Sequence, residues 1–147
     1  MEIRAVAAAV ILIPAVFAVS KNARQGTHET QSRQEEIERG RYLVEEVAKC
    51  GECHTPRNAR GEIDRNAWLQ GAPIWILPVR PDPNWAQSAP PLAGFPSFTE
   101  QEGERVLEQG MGPEGEVLRP PMHIYHMKQE DAKAIVAYLR SLPRAPH

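Results

Sequence analysis

The chain is poor in cysteine, in aromatic residues and in net charge, and each shortage excludes a class of protein. With two cysteines in 147 residues, a scaffold held together by several disulfides is excluded. A formal net charge of -2 at pH 7 provides no basic surface for nucleic acid. Aromatic residues make up 6% and there are 14 prolines, so we expect long ordered loops and a small side-chain core. The length predicts a single domain, and no internal repeat is visible.

Both cysteines lie in one five-residue motif, Cys50-Gly51-Glu52-Cys53-His54. A Cys-x-x-Cys-His sequence is typical of c-type haem attachment. Two thiols at this spacing reach the two vinyl groups of one porphyrin, and the imidazole of His54 is then held where it can bind the iron. Gly51 and Glu52 are interpreted as spacers. The motif predicts one haem c attached through Cys50 and Cys53 with His54 as proximal iron ligand, and its apolar plate would enlarge the core.

Two other interpretations of the cysteine pair were weighed. A zinc site would need a fourth ligand from His123, His126 or a carboxylate, and structural zinc usually takes more than two cysteines. A thioredoxin-like redox pair belongs to a βαβ pattern, and the sequence shows no such alternation. Haem attachment is the interpretation that the remaining sequence supports.

The N-terminus carries an uncharged apolar run, residues 5–19, preceded by Arg4 and interrupted by Pro14. This run is short for a membrane span and has the length of a long signal-peptide core. Residues 1–19 are therefore predicted to be a signal peptide or an uncleaved N-terminal anchor. Either one places the domain in the periplasm or on the outer face of the cytoplasmic membrane.

The remainder of the chain is predicted to contain a linker, a domain and a tail. Residues 20–34 are polar and are expected to be a disordered linker. Residues 35–143 form the haem domain, and residues 144–147 a short tail. Within the domain, residues 55–98 are rich in proline and hold all three tryptophans, so this irregular segment is expected to wrap the haem. The side chains expected to cover the haem are Trp68, Ile74, Trp75, Ile76, Leu77 and Leu92.

Three helices are predicted from periodicity and capping signals. The first runs from about Glu35 to Lys49, with Gly40 on its apolar face. The second begins after Thr99, which forms a capping box with Glu102, and stops near Gly110. The third covers residues 129–142, where apolar residues recur at helical spacing and Lys128 is a poor N-cap.

The order of these parts resembles a class I c-type cytochrome. In particular, the chain is similar to the monohaem domains related to cytochrome c subunits of bacterial alcohol and gluconate dehydrogenases. It is carried by Gly40-Arg41-Tyr42-Leu43, Cys50 to Arg57, Pro120-Pro121-Met122 with Tyr125, and Asp131 to Pro143. The resemblance implies an all-α cytochrome c fold, with three main helices and long Pro-rich loops around one covalent haem. It also implies that Gly40 packs against the terminal helix near Tyr138.

A carrier needs a second axial ligand, and Met122 is the predicted one. Two prolines stiffen the chain before it, and it matches the methionine position of the family. Met127 is interpreted as a core residue at the start of the third helix. The other candidates are Met111, His123 and His126, the histidines giving a bis-histidine haem. Arginines that could hydrogen-bond the haem propionates are Arg57, Arg60 and Arg80.

The predicted function is that of a non-enzymatic one-electron carrier, or an electron-transfer subunit of an oxidoreductase complex. It would link a dehydrogenase or respiratory complex to an acceptor. A haem peroxidase or a gas-binding sensor is the alternative, and either would need an open sixth site on the iron.

Overall fold

The structure, a computed structural model, describes residues 16–144, with side chains from His28 onward. It divides after Arg33 into two compact units, and every candidate site residue lies in the second. The predicted signal or anchor segment, apart from residues 16–19, and the tail beyond Arg144 lie outside the described range. Among the described residues, no helix combines the length and the apolar character needed to cross a bilayer.

The first helix, α1, spans Val16–Tyr42 and differs from the sequence-based expectation at its start. Residues 20–34 are helical, so the prediction of a disordered linker there is wrong for the secondary structure. The composition that indicated disorder also suits an exposed helix, because Gln, Arg, Glu and Lys are good helix formers. The side chains of residues 28–35 are exposed, as this explanation requires.

A π-helical turn, Leu43–Val47, follows α1 directly. Here the amide of Ala48 donates to the carbonyl of Leu43 at 2.7 Å. Leu43 and Val44 are buried in the core, and Gly40 lies one turn earlier on α1. The predicted first helix thus ends as a π turn and stops before the haem motif.

Gly40 is where α1 meets the terminal helix, α4, which spans Gln129–Ser141. A Cβ at Gly40 would collide with the backbone carbonyl of Ala134 and would lie 2.8 Å from the Cβ of Tyr138. Only glycine allows the two backbones to approach this closely. The predicted contact between Gly40 and the Tyr138 region is confirmed.

Helix α3 spans Glu100–Gln109. It corresponds to the second helix predicted from the sequence, and it begins and ends as predicted. Thr99 accepts from the amide of Glu102 at 3.3 Å, and the Glu102 carboxylate accepts from the amide of Thr99 at 2.8 Å. Gly110 ends the helix with a φ of 70°, in the left-handed region that favours glycine. Helix α4 lacks a side-chain cap at Lys128, also as predicted.

The core lies between the end of α1, the π turn, α3, α4 and one part of the long irregular segment. Helices α3 and α4 pack on each other, and α4 contacts the π turn. The rings of Phe95 and Phe98 in the irregular segment contact each other at a tilt of 35°, with 5.6 Å between their centroids. The buried apolar residues that form this core cluster are Leu43, Val44, Leu69, Ala93, Phe95, Leu107, Ala132, Ala134, Ile135, Val136, Tyr138 and Leu139.

Residues 55–98 are mostly irregular, as the sequence indicates, and a minimal sheet crosses them. Strands β1, Ala72–Pro73, and β2, Ser88–Ala89, pair antiparallel with Ala72 opposite Ala89. A 3-10 turn, Arg65–Ala67, precedes them. This pairing closes the segment into a hairpin that lies against the haem motif, because the amide of Gly71 donates to the carbonyl of His54 at 2.8 Å.

Candidate haem site

The motif forms one short helical turn, α2, which spans Gly51–His54 with Cys50 as its N-cap. The amide of His54 donates to the carbonyl of Cys50 at 3.0 Å, and the amide of Cys50 donates to Val44 at 3.1 Å. Residues three and four positions apart lie on the same side of a helix. The turn therefore presents Cys50, Cys53 and His54 toward one side.

His54 is buried, with 6% of its surface exposed, and its ring is fixed by one hydrogen bond. Its Nδ1 lies 2.8 Å from the carbonyl oxygen of Pro90. Because a carbonyl only accepts, Nδ1 must carry the proton and Nε2 keeps its lone pair. Burial lowers the pKa of His54, although the Pro90 hydrogen bond opposes this. The result is an oriented neutral imidazole, the form that binds a metal.

Cys50 and Cys53 are half-buried and are not joined in a disulfide. Burial raises the pKa of Cys50 to about 11 and also raises the pKa of Cys53. Thioredoxin-like pairs depend on a lowered thiol pKa, and the shift at both of these cysteines is in the opposite direction. Among the side chains from His28 to Arg144, no three His, Cys, Asp or Glu residues form a group that could hold a metal ion. The zinc interpretation therefore has no ligand set in the described chain.

The donors present at the turn fit a covalent haem. Two thiols on one side of a single helical turn match the two thioether bonds of haem c, and the neutral imidazole beside them matches its iron. The hydrogen bond of the His54 ring to Pro90 is made by Nδ1. Among the described residues, none forms a hydrogen bond with Nε2, the nitrogen that would bind iron.

Trp68 packs directly on the motif. A Cβ at Gly51 would collide with the Trp68 ring, so Gly51 provides room for this contact. The Arg65 guanidinium lies over this indole, 4.5 Å from the ring centroid. The interpretation of Gly51 as a simple spacer is therefore incomplete, because the tryptophan needs a glycine beneath it.

Glu52 belongs to a surface cluster with Arg57 and Trp75. The Arg57 guanidinium forms an ion pair with the Glu52 carboxylate at 2.8 Å and lies 4.6 Å from the Trp75 ring centroid. The Trp75 indole donates to the carbonyl of Glu52 at 3.1 Å. These contacts attach the irregular segment to the outer side of α2.

The residues predicted to cover the haem fall into two groups. Trp68 and Leu92 pack against the core. Ile74 and Ile76 are half-buried, whereas Trp75 is 58% exposed and Leu77 is 84% exposed. The segment 74–77 therefore alternates between inward and outward side chains beside the motif.

Met122 lies half-buried in a turn after the cis peptide between Pro120 and Pro121. Its amide donates to the carbonyl of Arg119 at 3.1 Å. Three residues later, the Tyr125 hydroxyl donates to the carbonyl of Ala48 at 3.0 Å, just before the motif. Burial raises the pKa of Tyr125 to about 12, so this hydroxyl remains protonated. The loop of Met122 is thus connected to the start of the haem motif.

The other candidates for the distal ligand have different positions. Met127 packs against the core, as predicted, and Met111 is exposed. His123 is exposed and lies edge-on to the Tyr125 ring, with 4.9 Å between centroids. His126 is exposed and has a φ of 51°.

The three arginines considered for the propionates have separate environments. Arg60 pairs with Glu62 at 2.9 Å, and Arg80 is exposed. Arg57 is bound to Glu52 and to the carbonyl of Gly61, yet its Nε is buried and has no hydrogen-bond partner. Arg57 therefore keeps one donor for a further acceptor.

Three contacts of this site were not predicted from the sequence: Trp68 on Gly51, Tyr125 on Ala48, and the hydrogen bonds of Arg119 to residues 84 and 85. Each joins residues far apart in the chain, and no local spacing indicates them. Tyr125 was matched only as part of the family resemblance.

Comparison with known proteins gives one family and several relatives. Residues 37–143 match the family described as cytochrome c. The chain is 38% identical over 114 residues to the fructose dehydrogenase cytochrome subunit of Gluconobacter japonicus. The aligned region covers 71% of this chain and 22% of that protein. It is 33% identical over 114 residues to a diheme cytochrome c-type protein of Cereibacter sphaeroides, covering 74% and 36% respectively.

A third relative is the cytochrome c subunit of the quinone alcohol dehydrogenase of Gluconobacter oxydans. It is 32% identical over 126 residues, which cover 76% of this chain and 25% of that protein. The chain therefore spans between 22% and 36% of the length of these curated relatives.

Proposed function

The chain belongs to the cytochrome c family, and on that premise we propose that it carries one electron at a time on a single haem held between His54 and Met122. Family membership establishes a helical cytochrome c domain of a family that binds haem c covalently. Electron transfer without catalysis is the proposed role, and it is supported by relatives that are named as cytochrome subunits of dehydrogenases. These relatives also confirm the resemblance to dehydrogenase cytochrome subunits. The number of haems, the ligands and the partners are proposed as well.

The observation that carries the proposal is the state of His54. The residue is buried in the same helical turn as both thiols, and its Nδ1 is bound to Pro90. This hydrogen bond sets the tautomer and the ring orientation, so that Nε2 is available to iron. Haem bound here supplies the exchange of one electron between ferric and ferrous iron. Cys50 and Cys53 would hold the group in place.

Met122 is proposed as the distal ligand because its loop is held at both sides and its side chain is half-buried. A thioether ligand favours ferrous iron and raises the reduction potential. A closed sixth position also excludes small ligands such as carbon monoxide or peroxide. This closure is what distinguishes a carrier from a peroxidase or a gas sensor.

A single haem is proposed from the cysteine count. The chain has two cysteines and both belong to one motif, so it offers one attachment site. A relative named as a diheme protein is matched over 36% of its length, which is compatible with one haem in the matched part.

The proposed partners are redox proteins. Two relatives are named as cytochrome subunits of fructose and alcohol dehydrogenases, which supports a dehydrogenase as electron donor. A respiratory complex is the proposed acceptor. The apolar run in residues 5–19 supports a periplasmic location or the outer face of the cytoplasmic membrane.

The test is the spectrum of the purified holoprotein in both oxidation states, together with carbon monoxide binding. We expect low-spin iron in both states, a ferric charge-transfer band from sulfur ligation, and poor carbon monoxide binding. Met122→Ala should remove the band, admit carbon monoxide and lower the potential. Met111→Ala removes an exposed methionine and is the matched control, which should leave all three properties unchanged.

Ready carbon monoxide binding by the unmodified protein would contradict the proposal and favour the sensor or peroxidase alternative. If Met122→Ala leaves the spectrum unchanged, the distal ligand has been misassigned. Variants of His123, His126 and Met127 would then identify the residue in its place.

A further inference from the structure

We propose that Arg119 is a positioning residue, which holds the turn carrying Met122 at the distance from the haem motif that iron ligation requires. This inference rests on the proposed role of Met122 as distal ligand. Arg119 would touch neither iron nor haem, and it would act only through the backbone of the loop.

Three hydrogen bonds join the Met122 turn to the irregular segment. The Arg119 Nε donates to the carbonyl of Asn84 at 2.9 Å, and its Nη2 donates to the carbonyl of Trp85 at 3.4 Å. The amide of Ala86 donates in the opposite direction, to the carbonyl of Pro120 at 2.7 Å. The longer Trp85 contact is the weakest of the three. Together the three hydrogen bonds hold Arg119 and Pro120, the two residues directly before Pro121 and Met122.

The segment that receives Arg119 is itself fixed. The Asp82 side chain accepts from the amide of Asn84 at 2.8 Å, and the indole of Trp85 donates to the carbonyl of Ile76 at 3.2 Å. Arg119 therefore binds an ordered part of the loop. A hydrogen bond to such a part transmits position, whereas one to a mobile segment would not.

From there, hydrogen bonds continue to the proximal side of the site. The amide of Ile74 donates to the carbonyl of Gln87 at 2.9 Å, next to the β1–β2 pairing. The amide of Gly71, directly before β1, donates to the carbonyl of His54 at 2.8 Å. Arg119 thus connects the distal loop through one small sheet to the residue proposed as the proximal ligand.

Tyr125 holds the other side of the same loop. Its hydroxyl binds Ala48, which lies two residues before Cys50. Met122 is therefore placed between an anchor three residues before it and an anchor three residues after it. A loop ordered in advance loses less conformational entropy when its sulfur binds iron, so the bond is stronger than it would be for a free loop.

An arginine suits this position because its guanidinium presents several donors in a planar fork. Nε and Nη2 can reach two successive carbonyls at once, which the single ammonium of lysine does less well. Substitution by lysine keeps the charge and loses this geometry. Comparison of Arg119→Lys with Arg119→Gln therefore separates the effect of the charge from the effect of the position of the loop.

The experiment is a titration of the ferric holoprotein with imidazole, which binds the iron only when the methionine sulfur leaves. We expect Arg119→Gln to bind imidazole about tenfold more tightly than the parent, since hydrogen bonds that order the loop are lost. Arg119→Lys should lie between the two. Arg33→Gln removes the same charge from an exposed arginine of α1 and should leave the affinity unchanged.

A double-substitution cycle gives a readout that general destabilisation would not change. In the Met122→Ala background no sulfur competes, so adding Arg119→Gln should leave imidazole affinity within about twofold. If Arg119→Gln raised the imidazole affinity equally in the parent and in the Met122→Ala background, the positioning role would be overturned. So would an Arg119→Gln protein with the same imidazole affinity as Arg33→Gln. If Arg119→Gln does not yield holoprotein, Arg119→Lys serves in the same cycle with the same criteria.

The outcomes for the two proposals are separable. If Met122→Ala itself does not increase imidazole affinity, the assignment of Met122 as ligand fails, and this inference fails with it. If Met122→Ala increases the affinity and neither Arg119 variant does, the ligand assignment stands and the inference about Arg119 alone is overturned.

Discussion

The two sides of the site are built in different ways. The proposed proximal side consists of five consecutive residues, Cys50 to His54, in one helical turn with its histidine buried. The proposed distal side is a loop around Met122 that is held by residues from two distant segments. On this proposal, attachment of the haem is encoded locally, whereas closure of the iron depends on contacts between distant parts of the chain.

This difference predicts that the two sides fail differently. Damage to the motif should abolish attachment whatever the rest of the fold does. Damage to the loop should leave the haem attached and change only the ligation and the potential. Substitutions in the helices that support both sides should lower the free energy of unfolding without a specific effect on haem attachment or on iron ligation.

The largest effect is expected from the double substitution Cys50→Ala and Cys53→Ala. Without either thiol no thioether bond can form, so covalently bound haem should be lost completely. Denatured protein, expressed with the machinery that matures c-type cytochromes, should show no haem stain and no added mass. Met122→Ala is the matched comparison and should keep both. Retention of covalent haem by the double variant would contradict the assignment of the motif.

An intermediate effect is expected from Gly40→Val, at the contact between α1 and α4. The new side chain would meet the backbone of Ala134, which cannot move aside as a flexible side chain can. We expect a loss of about 1–3 kcal/mol in the free energy of unfolding, with haem still attached. Denaturant titration of the holoprotein measures it.

Arg41→Val, on the exposed side of the same helix turn, is the control for Gly40→Val. It removes only an exposed ion pair with Glu38, which contributes little. Equal stability of the two variants would show that α4 does not approach α1 at Gly40.

The smallest effect is expected from Tyr125→Phe, which removes one hydrogen bond from the distal loop. Loss of the contact with the carbonyl of Ala48 should cost about 1 kcal/mol in stability. Imidazole affinity should rise modestly while haem attachment is unchanged. Tyr42→Phe, at a tyrosine that is 51% exposed, is the control. If Tyr125→Phe reduced haem attachment, the proposed separation between the two sides would be wrong.

The features that could be predicted from the sequence are those that short stretches determine. The Cys50 to His54 spacing, the capping box of Thr99 and the apolar stripe of α4 each depend on residues within a few positions of one another. Gly40 was also predicted, because the family resemblance provided its partner.

The features that could not be predicted depend on distant residues or on weak local signals. Arg119 contacts Asn84, which is 35 positions away, and nothing near Arg119 identifies that partner. Trp68 needs the space above Gly51, which sequence spacing does not reveal. The helical state of residues 20–34 was missed because a polar segment without an apolar stripe is compatible with both disorder and an exposed helix.

The π turn at Leu43–Val47 limits which insertions and deletions this part of the chain can accept. A π turn accommodates one additional residue within a helix, and each residue of an α-helix advances the rotation by about 100°. The packing face of α1 and the turn that begins at Gly51 do not share one helical phase, because Lys49, with a φ of 53°, also interrupts the helical backbone between them. Their relative angle depends on this link as well as on the π turn. A deletion of one residue here would keep every side chain of both and still rotate the motif away from Pro90 and Trp68.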